Sequence, residues 1–314
     1  MHFFKNIPAA ISALVLGLLS LLSTVDNAFN LHGMSYFIGI CITTIFLLLI
    51  SCKYIMYPRL LQQDLKHAKV GAGVSTLSMS MMLLSVPITK ILPVAGDAVW
   101  LIAIILHIIF LIAFIYYRTK DFRLSNITPS WFVPFCGILI ANVSFSGNPV
   151  LEFVSIITLS FGMLSYSIML PMMIYRFMFA DIIPDTDKTT IAIMASPSSL
   201  AMLAYLSFTS SPSPIIISIL FGISILMTVI IYISFFTLLR LPFSIGYASF
   251  TFPIVVGPSS ILKLIEWLTS IGISQHYINQ LLVLVYFELI IATIIVLYVL
   301  LKFFSCYIVT TVNK

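Results

Sequence analysis

Four ionisable residues lie inside or beside long apolar runs of this sequence and could take part in acid–base chemistry. They are His107, Glu152, Arg176 and Glu288. If such runs cross a membrane, an ionisable residue within them indicates a functional site by default, because a charge in hydrocarbon is costly. Glu288 together with a His or Lys would form a proton relay. We favour the alternative, pairing at helix ends or subunit contacts, because all four residues fall in segments that the pattern below places on the outside.

Motifs that mark enzymes and metal sites are missing from the sequence. It contains no HExxH, no paired Asp motif at membrane depth and no Gly-x-Ser-x-Gly. The four cysteines, Cys41, Cys52, Cys136 and Cys306, are far apart, with no CxxC and no cluster with His. We interpret them as buried thiols rather than a disulfide framework. The sequence therefore predicts no enzyme activity, no metal and no cofactor.

The composition is that of an integral membrane protein. Of 314 residues, 61% are apolar and only 8% are charged, with a mean hydropathy of +1.16, whereas a soluble domain has roughly 25% charged residues. Fifteen Lys and Arg against ten Asp and Glu give a net charge of +5. In a membrane protein, an excess of basic residues is explained by their concentration in cytoplasmic loops, so we do not expect a nucleic-acid partner.

The apolar runs predict ten transmembrane helices within one domain, residues 1–314. A helix needs about 20 apolar residues to cross the hydrocarbon core. The predicted spans are 8–25, 34–56, 71–92, 97–117, 129–147, 150–179, 190–211, 213–239, 243–268 and 277–304. The first run resembles a signal peptide, but no clear A-x-A cleavage site follows, and we expect it to be retained.

The basic residues predict the orientation. If the N-terminus is cytoplasmic, thirteen of the fifteen Lys and Arg residues, Lys314 among them, fall on the cytoplasmic side, and only Lys90 and Lys263 fall on the other. Cytoplasmic loops carry such an excess of basic residues. We therefore expect both termini in the cytoplasm of a multi-pass protein of the cell membrane.

Prolines and hydroxylic residues concentrate in the odd-numbered spans. Pro87, Pro134, Pro197 and Pro253 lie within predicted spans 3, 5, 7 and 9, whereas among the even spans only the sixth has an interior proline, Pro171. Irregular backbone at membrane depth is tolerated where it is buried in protein or lines a water-filled path. The pattern predicts five helical hairpins, with odd helices as an inner ring around a pore and even helices as an outer ring. The alternative is that the small residues only serve tight helix packing.

Three proline-containing segments resemble the tellurite-resistance/dicarboxylate transporter family. They are 129–137 (PSWFVPFCG), 195–201 (ASPSSLA) and 243–253 (FSIGYASFTFP), in spans 5, 7 and 9. This family includes bacterial TehA proteins, plant slow-type anion channels, malate carriers and fungal sulfite exporters. The resemblance implies ten helices as five hairpins, a central pore lined by the odd helices, and a homotrimer with one pore in each subunit.

The resemblance also implies a gate. In the family, a phenylalanine in an aromatic-Thr-Phe-Pro phrase closes the pore, and the matching residue here is Phe252. A small residue of span 1 faces that gate, and Ala13 is the nearest match, although span 1 lacks the family's glycine there. The candidate residues that line or bend the pore are Ala13, Pro87, Pro134, Pro197 and Pro253.

The charges of the odd spans favour a channel over a carrier. Their central thirds contain no Lys, Arg, Asp or Glu, whereas a carrier that holds a dicarboxylate would use an Arg or Lys clamp. We expect an anion channel, or channel-like exporter, for small monovalent anions, with Ser hydroxyls and helix N-terminal amides as partial positive charges. The preference for anions depends on the resemblance. The alternative is a secondary carrier for four-carbon dicarboxylates such as malate, or for sulfite, with proton coupling.

Overall fold

The structure, a computed structural model, is an all-helical membrane protein. It describes residue 5, residues 7–120 and residues 122–312, and the side chains of these residues apart from residues 125 and 307–312. No strand occurs within these ranges. Lys314, which was counted in the charge pattern, lies outside the described residues. The predicted all-α membrane fold is confirmed.

Nine segments of the described residues are long and apolar enough to cross a membrane, and Pro129–Val143 is a shorter apolar segment that we number as span 5. In chain order, spans 1 to 10 are Ile11–Phe29, Met34–Met56, Ala68–Ile91, Pro93–Thr119, Pro129–Val143, Pro149–Phe179, Lys188–Phe208, Pro214–Leu238, Ile245–Ser270 and Gln275–Cys306. Span 5 is shorter than the predicted 129–147, since its last helical piece ends at Val143.

The odd spans form a closed inner ring. Span 1 packs against span 3, span 3 against span 5, span 5 against span 7, span 7 against span 9, and span 9 against span 1. Each even span packs in the groove between two odd spans. Between 50% and 72% of the most apolar stretch is buried in spans 1, 3, 7 and 9, against 28–39% in the even spans. This difference confirms the inner and outer rings.

The outer position of the even spans corrects one prediction about the cysteines. Cys136 on span 5 is buried, as expected. Cys41, Cys52 and Cys306 lie on spans 2 and 10 and are exposed. Their apolar surroundings in the sequence are the lipid-facing surface of the outer ring, which periodicity alone does not distinguish from a protein core.

Three of the inner spans are broken helices. Span 7 begins as a 3₁₀-helix, Lys188–Ala195, and continues as an α-helix, Ser196–Phe208. Span 9 does the same, with Ile245–Phe250 followed by Phe252–Ser270. Pro197 and Pro253 are therefore the second residues of α-helical segments, a position where the missing proline N–H costs little.

Span 5 is interrupted twice. It consists of the 3₁₀ segment Pro129–Trp131, the α segment Phe132–Cys136, the 3₁₀ segment Gly137–Leu139 and the α segment Ile140–Val143. Such breaks release backbone groups that lipid cannot satisfy. Their location in the inner ring allows protein groups to replace the lost hydrogen bonds.

Candidate pore and gate

The N-terminal halves of the five odd spans enclose a cavity of about 70 Å³, which we call the N-side cavity. Every odd span contributes to its wall, and we use one residue from each as a reference: Ala13, Thr76, Gly137, Pro197 and Phe252. Because consecutive odd spans run in the same direction through the membrane, these N-terminal halves all lie on one side of it.

The C-terminal halves of the same spans enclose a second, larger cavity of about 240 Å³, the C-side cavity. Its wall includes Ser20 of span 1, Val86 of span 3, Val143 of span 5, Ser207 of span 7 and Ser259 of span 9. The two cavities thus follow one another along the axis of the inner ring.

Phe252 and Leu200 line both cavities and lie between them. Phe252 is 8% exposed and Leu200 is 3% exposed, so both side chains are buried where the walls of the two cavities meet. Sequence reasoning singled out Phe252 but missed Leu200. The signal was present, because Leu200 lies in the same seven-residue segment as Pro197.

Span 1 holds the backbone that carries Phe252. The Thr251 hydroxyl lies 2.8 Å from the Ala248 carbonyl and 3.2 Å from the Ala13 carbonyl. One turn further along span 1, a methyl group on Gly17 would lie 2.5 Å from the Thr251 side chain. Ala13 therefore lines the cavity beside Phe252, whereas Gly17 makes the closest backbone approach.

The candidate prolines occupy different places. Pro197 and Pro253 line the N-side cavity together with Ala13 and Phe252. Pro134 lies behind the wall that its neighbours in span 5 form, and its carbonyl oxygen is 3.0 Å from His107 Nε2. Pro87 lies in the continuous helix of span 3 and faces a separate apolar cavity of about 320 Å³ between spans 2, 3 and 4.

His107 compensates for the interruption of span 5. It is completely buried on span 4. Since a carbonyl oxygen can only accept, His107 Nε2 donates to Pro134, while Nδ1 lies 2.9 Å from the Ser78 hydroxyl. A methyl group on Gly137 would lie 3.1 Å from this imidazole ring. His107 therefore joins spans 3, 4 and 5 directly behind the cavity wall.

The other three ionisable residues of the even spans, Arg176, Glu152 and Glu288, have different surroundings. Arg176 is buried at the end of span 6 and donates to the carbonyls of Ile127 and Asp181 at 2.9 and 2.7 Å. Glu152 is exposed at the start of the α-helical part of span 6. Glu288 is buried in the middle of span 10, at 2% exposure. Pairing at a helix end is thus confirmed for Arg176 and wrong for Glu288, which lies in mid-helix and whose Oε2 has no hydrogen-bond partner among the described residues.

Lys69 is the one charged residue on the wall of the N-side cavity, as far as the described residues show. Its Nζ donates to the Thr186 carbonyl at 2.6 Å and to the Thr189 hydroxyl at 3.0 Å, and lies 3.9 Å from Asp187 Oδ1. Sequence reasoning used Lys69 only as a topology signal. Its place at the cavity depends on how the start of span 3 meets the segment before span 7.

The hydroxyl and amide groups that sequence reasoning offered as partial positive charges are in part already engaged. At the break in span 7, both the backbone N–H and the hydroxyl of Ser196 donate to the Ile193 carbonyl. On the C-side, the Thr24 and Ser259 hydroxyls are 2.6 Å apart and join spans 1 and 9. Lys69 is therefore the strongest positive charge available to an anion in the N-side cavity.

Comparisons with known proteins find sequence similarity over most of this chain. A family model described as voltage-dependent anion channel matches residues 6–306 of the chain. Uncharacterized transporter MJ0762 of Methanocaldococcus jannaschii is 21% identical over 245 residues, which cover 70% of this chain and 72% of the relative. Uncharacterized transporter MJ0576 of the same organism is 22% identical over 246 residues, covering 71% of each chain.

Proposed function

Because this chain belongs to the voltage-dependent anion channel family, we propose that it conducts small monovalent anions through the N-side and C-side cavities, with Phe252 as the gate. Family membership confirms the resemblance that the segments in spans 5, 7 and 9 indicate. The chain is a multi-pass membrane protein of a transporter family. We propose transport, and not catalysis, as its activity.

The position of Phe252 between the two cavities carries this proposal. A benzyl ring across a narrow apolar lumen blocks a hydrated ion sterically and by dewetting. Phe252 is the first residue of the α-helical segment Phe252–Ser270, and Thr251 separates it from the 3₁₀ segment. Rotation of the ring, or a small movement of span 1 at Ala13, would join the cavities.

The charges around the cavities support a weakly binding anion path. Lys69 supplies a positive charge on the N-side, and Asp187 Oδ1, 3.9 Å from its Nζ, offsets part of it. On the C-side, Lys263 pairs with Glu266 at 2.6 Å. Between these ends, the walls carry small, apolar and hydroxylic side chains. Conduction requires binding that is favourable enough for an ion to enter and weak enough for it to leave.

A proton-coupled carrier for four-carbon dicarboxylates or sulfite is the second candidate. Two observations favour it: both relatives are named as transporters, and Glu288 places a buried carboxyl group in the membrane-spanning region. Against it, the cavity walls hold no pair of basic side chains to clamp a dianion, within the described residues. Saturable, proton-dependent uptake would favour the carrier.

We further propose a homotrimer in the cell membrane with both termini in the cytoplasm. The trimer depends on the family resemblance. The outer spans offer surface for lipid and for neighbouring subunits, as exposed Ile102, Ile105 and Ile109 on span 4 illustrate. The orientation depends on the distribution of Lys and Arg.

Reversal potentials test the proposed function. Purified protein in planar bilayers would be measured under chloride, nitrate, sulfite and malate gradients. We expect unitary currents that reverse near the equilibrium potential of the monovalent anions, with little malate current. Uptake of malate or sulfite without unitary currents would contradict the channel mechanism and support the carrier mechanism.

A further inference from the structure

Glu288 is a buried carboxyl group that neither the pore nor the charge pattern explains. It lies on span 10 at 2% exposure, and its Oε2 has no hydrogen-bond partner among the described residues. Most buried polar atoms in proteins have such a partner, and an unpartnered one calls for an explanation.

The carboxyl group of Glu288 packs against span 9, the helix that carries Phe252. A methyl group on Gly257 of span 9 would lie 2.5 Å from Glu288 Oε2 and 3.9 Å from the Thr228 hydroxyl of span 8. The absence of a side chain at Gly257 is therefore what makes room for the carboxyl group. Glu288 occupies the junction of spans 8, 9 and 10.

The charged and titratable groups of the neighbouring spans do not neutralise Glu288. Span 8 brings Tyr232, which lies within electrostatic range and whose hydroxyl also has no partner among the described residues. On span 9, Lys263 and Glu266 pair with each other. On span 1, Asp26 accepts hydrogen bonds from Gly33 and Ser35 at the far end of the helix.

We propose that Glu288 is a proton-binding site behind span 9, and that its protonation holds span 9 in the position that keeps Phe252 between the cavities. An ionised carboxylate without a partner is expensive in a dry interior, whereas the neutral acid is tolerated. The observed packing therefore suits the protonated form. Loss of the proton would draw the Tyr232 hydroxyl or water to the carboxylate and loosen the contact with Gly257.

The site can act on the gate because both are on one helix. Gly257 follows Phe252 within the α-helical segment Phe252–Ser270. A displacement of span 9 at Gly257 is transmitted along this helix to the ring. The proposal rests on Phe252 as the gate and gives a direction: anion current is low at acidic pH and rises at alkaline pH.

Infrared spectroscopy tests the site separately from conduction. Infrared difference spectra of the reconstituted protein should contain a protonated carboxyl band that disappears on alkalinisation, and Glu288→Gln should lose this band. Glu152→Gln, at an exposed carboxylate, is the matched control and should retain it. If Glu288→Gln folds poorly, Gly257→Ala places a methyl group against the carboxyl group and should shift the titration of the same band.

Bilayer currents test the link to the gate. The wild type should lose its current towards acidic pH, and Glu288→Gln should lose that pH dependence and remain at the low level. An unchanged band in Glu288→Gln would overturn the proton site. A wild-type band that changes with sodium concentration rather than with pH would also overturn it. A titrating band without any anion current would instead refute the proposed function and leave the proton site standing.

Discussion

Gly17 of span 1 lies against the backbone of Phe252 so closely that a methyl group on Gly17 would come within 2.8 Å of the Phe252 nitrogen. The same methyl group would lie 2.5 Å from both Cβ and Oγ1 of Thr251. The Phe252 nitrogen and the Thr251 Cβ are fixed by the backbone, so no side-chain rotation relieves these two contacts. The first and ninth spans are thus in close contact next to Phe252, which lines both cavities.

Gly17→Ala should destabilise the protein, because the overlap with Thr251 requires span 1 and span 9 to separate. Overpacking of this kind costs about 1–3 kcal/mol. The measurement is the melting temperature in detergent, with basal current in bilayers as a second readout. Gly222→Ala on span 8 is the matched control, since open space surrounds Gly222. Equal melting temperatures for the two variants would contradict the close contact.

Phe252→Ala should raise the basal anion conductance strongly and leave the order of anion preference nearly unchanged, because the ring obstructs the path without binding the ion. Bilayer recordings of basal current measure this effect. A folded Phe252→Ala protein that stays as closed as the wild type would remove Phe252 from the gate.

Phe250→Ala is the control for the gate. The Phe250 ring is fully buried and packs edge-on against Phe235 and beside Tyr247, with ring centroids 5.4 and 4.8 Å apart. Its loss should create a cavity and cost about 3–5 kcal/mol of stability. We expect a lower melting temperature in this variant, with much less change in basal current than in Phe252→Ala.

Lys69→Gln should reduce anion current, and Asp187→Asn should increase it, because Asp187 offsets part of the positive charge at the N-side cavity. Both effects should shrink at high salt, because solvent ions reach these partly accessible side chains and screen their charges. The measurement is conductance against chloride concentration. Lys90→Gln, an exposed residue at the opposite end of span 3, should have a smaller effect. The same response in all three variants would contradict a local role for Lys69.

His107→Ala should destabilise the protein, because it leaves the buried Pro134 carbonyl without its donor. An unsatisfied buried acceptor costs about 1–3 kcal/mol, and the lost imidazole adds a cavity. The melting temperature in detergent measures this loss. His276→Ala, at an exposed residue near the start of span 10, is the control and should leave the melting temperature unchanged.

The loop from Arg118 to Arg123 should face the cytoplasm. A single cysteine introduced near Lys120 should react with a membrane-impermeant reagent only after the cells are opened. The exposed native residues Cys41, Cys52 and Cys306 have to be replaced first, because they would contribute their own labelling. Reaction from outside intact cells would reverse the predicted orientation.

The sequence by itself determined the membrane class, the ten spans and the division into an inner and an outer ring. The length of each apolar run predicts a span, because about 20 apolar residues cross the hydrocarbon core as a helix. In a helix the backbone groups form their hydrogen bonds within the segment, as lipid requires. Pro134, Pro197 and Pro253 marked the broken spans, since a residue without an N–H interrupts the hydrogen bonds of a regular helix, whereas Pro87 lies in a continuous one. The segment around Phe252 indicated the gate because its Phe-Thr-Phe-Pro motif resembles the motif that carries the gate in the tellurite-resistance/dicarboxylate transporter family.

Tertiary structure decided which residues meet. Leu200 lines both cavities together with Phe252, Lys69 reaches the N-side cavity, and Pro87 faces a separate cavity, although all three lie on inner spans. Their places depend on how far each helix is rotated about its axis and on how helices distant in the chain are aligned with each other. Those two quantities are determined by close packing between spans, such as Gly17 against Thr251 or Glu288 against Gly257. Hydropathy along one chain carries no such pairwise information.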